Sequence, residues 1–156
     1  MAERRVYIDK DFVDFVKSLS DNDSDKRIFN NMAQCLAYAA AYGFKKNNRQ
    51  KVIRASTQQV DPINFQIFEN ANLESLFTLL SLGSENNYKT VLSDSDESSD
   101  LRITIFEEYA KGGLLLLKKE LTGLINYLDP TIEAMLNSKN IATGSKGFDP
   151  SELKIE

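Results

Sequence analysis

The chain has 156 residues, 42% of them hydrophobic and 27% charged, which is the balance of an ordinary soluble domain with a buried core. Its net charge of −4 argues against a protein whose whole surface binds nucleic acid, but it leaves room for a local basic patch. Histidine is absent and Cys35 is the only cysteine, which excludes zinc sites of Cys and His ligands within one chain, intrachain disulfides and the commonest general base.

The N-terminal quarter predicts a short helix after an extended piece. Residues 5–8 are apolar enough for a strand, and the apolar positions between 12 and 19 recur at spacings of three and four. Asp9 or Asp11 would cap that helix. Cys35 lies on the apolar face of the next helix, so we expect it to be a core residue and not a nucleophile.

The second predicted helix is rich in alanine and should be central. Ser24 or Asp25 can start it, and Gly43 is placed where a left-handed residue would end it. The alanines between 37 and 41 are small enough to let another helix approach closely.

A polar, basic stretch follows from residue 45 to residue 54. It holds five positive charges among asparagine and glutamine side chains, a composition that suits contacts with phosphates and base edges. The candidate DNA-binding residues are Lys45, Lys46, Lys51, Arg49 and Arg54. The alternative is a solvated loop that balances the acidic surface elsewhere. One short β element is expected nearby, at 51–54 or at 63–67.

The second half of the chain predicts a leucine-rich helix closed by Gly83, a helical turn or two within 84–92, and a long helix over 101–128. The long helix contains the pair Gly112-Gly113, and each glycine in a helix interior costs about 1 kcal/mol relative to alanine. Three explanations are open: close approach of a partner helix such as the alanine-rich one, a kink, or a break.

These elements predict a mostly α protein with a single compact domain of about five to six helices over 1–137. A flexible tail is expected over 138–156, where glycine and proline replace apolar residues. No apolar run is long enough for a signal sequence or a membrane span, so we expect a cytoplasmic protein without membrane contact.

Carboxylates on the long helix are the remaining candidates for chemistry. Glu107 and Glu108 are adjacent, so their side chains point about 100° apart and cannot easily share one metal ion. Glu107 is also correctly spaced for an ion pair with Lys111. A metal-dependent nuclease is therefore the weakest hypothesis, and we expect no catalytic residue, no metal and no cofactor.

Two stretches of the chain resemble a known family. They are Ala39-Ala-Ala-Tyr-Gly-Phe44 and, after a basic loop and a leucine-rich helix, Glu107-Glu-Tyr-Ala-Lys-Gly-Gly-Leu114. Over residues 28–125, the order of the predicted elements and these two motifs resemble the fourth family of proteins associated with Dnd DNA-phosphorothioation operons. Members of that family commonly have asparagine where this chain has Lys111.

The resemblance implies a non-catalytic accessory subunit of a bacterial antiphage or DNA-modification-linked restriction complex, which binds a larger protein partner. The expected partner-binding residues are those of the second motif: Glu107, Glu108, Tyr109, Lys111, Gly112 and Gly113. The alternative is a DNA-binding accessory protein that uses the basic loop at 45–54. A homo-oligomer is compatible with either function.

Overall fold

A computed structural model describes residues 3–25, 27–53 and 62–125 of the chain. Within these ranges it contains six helices and one two-stranded sheet, which confirms the mostly α prediction. In chain order the elements are β1 (Arg5–Val6), α1 (Val13–Ser20), α2 (Met32–Lys45), β2 (Ile63–Asn64), α3 (Phe65–Asn70), α4 (Glu74–Ser84), α5 (Tyr88–Leu92) and α6 (Asp96–Ile125). The predicted domain end at 137 and the predicted flexible tail over 138–156 lie outside the described residues.

The sheet joins the N-terminal strand to the segment before α3. β1 and β2 are antiparallel, and Val6 pairs with Ile63, both of them buried. The β element predicted at 63–67 is thus confirmed for two residues only. It ends because the Asn64 side chain accepts a hydrogen bond from the Gln66 N–H and caps α3. At the alternative location of 51–54, residues 51–53 form no strand, and Arg54 lies outside the described residues.

α1 forms where the apolar spacing predicts it, but neither predicted aspartate caps it. Phe12 occupies the N-cap position and makes no side-chain capping bond. Val16 and Leu19 are buried, so the face of the helix was predicted correctly. The carboxylate of Asp9 is used elsewhere, as described below.

α2 begins later and ends later than predicted. Its N-cap is Asn31, whose side chain accepts the Gln34 N–H, because the chain before it folds back and donates the N–H groups of Ile28 and Phe29 to Leu19 O. At the other end α2 continues through Gly43, which is helical, and the left-handed residue is Asn47 with φ of 53°. The prediction that Gly43 terminates the helix is therefore wrong.

An aromatic cluster joins α3, α4 and α6 in the core. Phe68, Phe77 and Phe106 are each 1% exposed or less, and the ring centroids of Phe77 and Phe106 lie 3.9 Å apart in a stacked arrangement. Phe68 meets both of these rings edge to face at 5.2 and 5.5 Å. Full burial of each ring contributes about 1.5–3 kcal/mol, so this cluster anchors the middle of α6.

α6 is the longest element, and it begins at Asp96, five residues before the predicted start at 101. Ser95 Oγ accepts the Ser98 N–H at 3.2 Å, and two acidic residues occupy the first turn, as the helix dipole favours. The helix is continuous through Gly112 and Gly113, which excludes a break, one of the three explanations left open for the glycine pair. Within the described residues, no helix combines the length and the apolar character that a membrane span needs.

Candidate functional site

The glycine pair of α6 lies where this helix crosses α2. A Cβ built on Gly113 would overlap Ala39 O of α2. Gly43 of α2 has the reciprocal position, since its Cβ would overlap Tyr109 O and lie 2.8 Å from Gly113 N. The backbones of the two helices therefore touch at this crossing. Close approach of the alanine-rich helix, one of the three predicted explanations of the glycine pair, is confirmed.

The other glycine of the pair makes room for the basic segment, defined here as residues 45–53. Asn48 O occupies the space in which a Gly112 Cβ would stand, and Asn48 Nδ2 donates to Gly112 O at 3.0 Å. The Gln50 N–H donates to Glu108 O at 3.1 Å. The segment that follows α2 is thus fastened to α6 by hydrogen bonds between backbone and side-chain groups.

Asp9 and Lys111 hold the end of the basic segment. Lys111 Nζ lies 2.9 Å from Asp9 Oδ2 and donates to Lys51 O at 2.7 Å. The same Asp9 Oδ2 accepts the Ile53 N–H at 2.8 Å, and Asp9 Oδ1 accepts the Asp11 N–H at 3.0 Å. One carboxylate therefore ties together the chain before α1, the basic segment and α6. We call this group of contacts the Asp9 clamp.

The protonation of Asp9 follows from its contacts. Burial would raise the pKa of its carboxyl, but the Ile53 and Asp11 N–H groups and the Lys111 ammonium outweigh this effect and hold the pKa below its ordinary value of 3.8. Asp9 is therefore ionised at neutral pH, and its charge faces the Lys111 ammonium.

Arg49 is the best-held cation of the basic segment. Its Nε donates to Glu108 Oε2 at 2.7 Å, and it also lies 3.3 Å from Glu85 Oε1. The guanidinium carbon is 5.8 Å from the centroid of the Tyr109 ring, a cation–π distance. Burial would lower the pKa of Arg49, but the two carboxylates raise it. The charge of this residue is balanced within the protein.

The predicted DNA-binding residues consequently have different environments. Lys45, Lys46 and Lys51 are exposed, Arg49 is paired with two carboxylates, and Arg54 lies outside the described residues. Three lysines remain available to solvent on this segment. Their role in binding DNA stays a prediction.

The predicted partner-binding residues make contacts inside the protein. Glu107, Tyr109, Gly112 and Gly113 are buried, and Glu108 and Lys111 are half-buried. Glu107 Oε2 accepts the Tyr7 N–H at 2.8 Å, and the Tyr109 ring packs edge to face on Phe44 with centroids 5.4 Å apart. The motif residues thus build the α2–α6 crossing and fasten the basic segment. Whether any of them also contacts a partner stays a prediction.

The residues considered for catalysis or metal binding, Glu107, Glu108 and Cys35, also make contacts within the protein. Glu107 and Glu108 bind different parts of the chain, Tyr7 N–H and Arg49 respectively. Across the part of the chain that the structure describes, no group of three or more Cys, Asp or Glu side chains is arranged to hold a metal ion. Burial raises the pKa of the Cys35 thiol to about 12, so this residue is a core residue, as predicted.

Sequence reasoning missed two features of the surface. The first is a segregation of charge: residues 26–60 carry seven of the 19 basic residues and none of the 23 acidic ones. A count of charges in windows of that length would have found it. The second is a set of exposed apolar side chains on the consecutive helices α4 and α5, which we call the apolar strip. Its residues are Leu79, Leu82, Tyr88 and Leu92.

The fold and these contacts define a small α-helical protein in which the motif at residues 107–114 packs α6 against α2. The sequence model of the family described as DNA sulphur modification system-associated protein 4 matches residues 5–153, and the chain belongs to this family. The resemblance inferred from the two motifs is therefore confirmed, and the match extends beyond the range of 28–125. Neither the curated proteins nor the solved structures contain a match to the chain.

Proposed function

We propose that this protein is a non-catalytic accessory subunit that binds a larger protein of a DNA sulphur modification system, in a complex that serves antiphage defence. Membership of the family associates the chain with such a system. The Glu-Glu-Tyr-Ala-Lys-Gly-Gly-Leu motif argues against a catalytic role, because its residues hold α2, α6 and the basic segment together.

The observation that carries the proposal is the apolar strip on α4 and α5. Leu79 and Leu82 are 62% and 37% exposed, and Tyr88 and Leu92 are 60% and 53% exposed. The spacings of three along α4 and four along α5 put each pair on one side of its helix. Exposed apolar side chains on two helices in contact are typical of protein–protein interfaces, and burial of each would contribute about 1.5–3 kcal/mol.

The proposal is tested by co-expression of the full chain with the other proteins of its own DNA sulphur modification locus. The mass of the purified complex is measured by light scattering, for the wild type and for Leu79→Asp. We expect a stable complex with the wild type and its loss with Leu79→Asp, because a carboxylate in an apolar interface would be desolvated without a partner. Leu115→Asp is the matched control, since Leu115 is 46% exposed on α6.

Each other outcome contradicts a stated part of the proposal. Loss of the complex with Leu115→Asp alone would place the interface on α6 and not on the strip. A mass that equals two copies of this chain, lost with Leu79→Asp, would make the strip a homo-oligomer interface. No complex with any protein of the locus would reject the accessory-subunit function.

A second candidate function is contact with DNA through the basic segment. It is favoured by the charge segregation, because the longest stretch of the sequence without an acidic residue contains the exposed Lys45, Lys46 and Lys51. The Asp9 clamp and the Arg49 ion pairs fix the backbone that bears these lysines. A fixed set of cations loses less conformational freedom when it binds phosphates than a mobile loop would.

A further inference from the structure

A row of three aromatic rings lies along α2 and the loop before it. The ring centroids of Phe29 and Tyr38 are 5.4 Å apart, and the rings of Tyr38 and Tyr42 are nearly parallel with centroids 6.3 Å apart. Tyr38 is 51% exposed, and the other two are half-buried. We call this row the aromatic ladder. Packing of the core does not account for it, because its central ring is directed to solvent.

Cations stand at both ends of the aromatic ladder. Lys46 Nζ lies 5.9 Å from the centroid of the Tyr42 ring, one helical turn beyond it, and Lys45 is exposed next to it. At the other end Arg27 is exposed, and its Nε donates to Phe29 O at 3.1 Å. α2 itself contains no acidic residue, so the acidic side chains nearest in sequence are those of the loop at 21–25.

We propose that the aromatic ladder binds single-stranded nucleic acid, with bases stacked on Tyr38 and Tyr42 and with phosphates held by the flanking cations. Proteins that bind single strands combine cationic surfaces with aromatic side chains on which successive bases stack. The 6.3 Å spacing of the two rings is close to twice the rise of about 3.4 Å between stacked nucleotides. The two rings therefore stand about far enough apart for one base to stack between them.

Single strands fit this surface better than duplex DNA. The bases of a duplex are already stacked and paired, so a duplex offers phosphates to the lysines but no free base faces to the rings. The inference rests on the second candidate function, nucleic-acid contact, and it adds a ligand class and two recognition residues that the lysines alone do not provide. It is independent of the apolar strip and of its protein partner.

The test measures binding of the full chain to fluorescein-labelled oligothymidylate by anisotropy, in parallel with tyrosine fluorescence. The chain has six tyrosines and no tryptophan, so tyrosine emission is observable, and comparison with Tyr38→Phe isolates the part that Tyr38 contributes. We expect the wild type to bind the single strand more tightly than a duplex of equal length. We also expect its tyrosine fluorescence to be quenched when the single strand binds. Tyr38→Ala should weaken binding at least about tenfold, whereas Tyr38→Phe, which keeps the ring, should bind as the wild type does.

Ile67→Ala is the control, because Ile67 is 46% exposed on α3 and belongs neither to the aromatic ladder nor to the apolar strip. Equal losses with Tyr38→Ala and Ile67→Ala would overturn the inference, and so would tighter binding of the duplex. Either of these results would leave phosphate contact by the lysines intact. Absence of any binding at low salt would reject the second candidate function together with the ladder. Circular dichroism of each variant shows that the helices are retained.

Discussion

Asp9 shows how a single side chain can connect distant parts of the chain. It is 3% exposed, and its two oxygens accept hydrogen bonds from Asp11 and Ile53 and face the Lys111 ammonium. The predicted ion pair of Lys111 with Glu107, four residues before it, is wrong, because sequence patterns detect only neighbours within an element. The partner of Lys111 is 102 positions away in the sequence. No local pattern could have predicted it.

The Asp9 clamp leads to a prediction for stability. Asp9→Asn keeps the shape of the side chain but leaves Lys111, 17% exposed, without its counter-charge. We expect the free energy of unfolding to fall by about 2–3 kcal/mol, measured by urea denaturation followed by circular dichroism. Asp11→Asn is the control, because Asp11 is exposed, and its effect should stay within about 0.5 kcal/mol. Equal effects of the two variants would show that the clamp contributes nothing.

The Asp9 clamp also makes the free energy of unfolding depend on pH. The pKa of Asp9 is lower in the folded protein than its ordinary value of 3.8, so the folded state binds this proton less readily than the unfolded state does. The contribution of Asp9 is therefore fully present above its unfolded pKa and is lost as the pH falls through its folded pKa. We expect the difference in unfolding free energy between wild type and Asp9→Asn to be constant from neutral pH to about pH 5 and to shrink below about pH 4. A constant difference at all pH values would contradict this account.

At the scale of elements, the α2–α6 crossing predicts that the glycines respond differently to substitution. Gly113→Ala should destabilise the protein by about 2 kcal/mol in the same urea assay, since the added Cβ overlaps the backbone at Ala39 O and overpacking outweighs the gain in helix propensity. Gly83→Ala is the control. There the added Cβ meets only the tip of the Phe44 ring, which is 38% exposed and can move aside. A neutral Gly113→Ala would mean that the helices are not in backbone contact.

The types of the elements were largely predictable from the sequence, and their ends were not. Apolar spacing indicated α1 and the long helix, because the period of 3.6 residues is set by the buried face. The start of α2 was misplaced because the N–H groups of Ile28 and Phe29 bond to Leu19 O, a tertiary contact that overrides the capping signal of Ser24. The glycine pair was recognised as unusual, but the groups that fill the space beside it, Ala39 O and Asn48 O, emerge only from the fold.

At the scale of the whole molecule, charge and apolar surface lie on different elements. The stretch without acidic residues includes α2 and the basic segment, whereas the apolar strip lies on α4 and α5. The chain as a whole has a net charge of −4, so the remaining residues are strongly acidic and would repel nucleic acid. This separation is compatible with a subunit that contacts a protein through one surface and nucleic acid through another. It also means that total charge is a poor guide to nucleic-acid binding.

The separation of charge leads to a prediction that distinguishes local from total charge. Lys45→Glu with Lys51→Glu, and Lys10→Glu with Lys89→Glu, change the net charge equally, and all four lysines are exposed. If the basic segment contacts phosphates, the first pair of substitutions should weaken DNA binding by an order of magnitude or more at low salt. It should also reduce the slope of log affinity against log salt by roughly 0.7–0.9 for each phosphate contact removed. The second pair should leave the slope unchanged. Equal losses for the two double variants would show that binding depends on overall charge and not on the segment that the Asp9 clamp holds against α6.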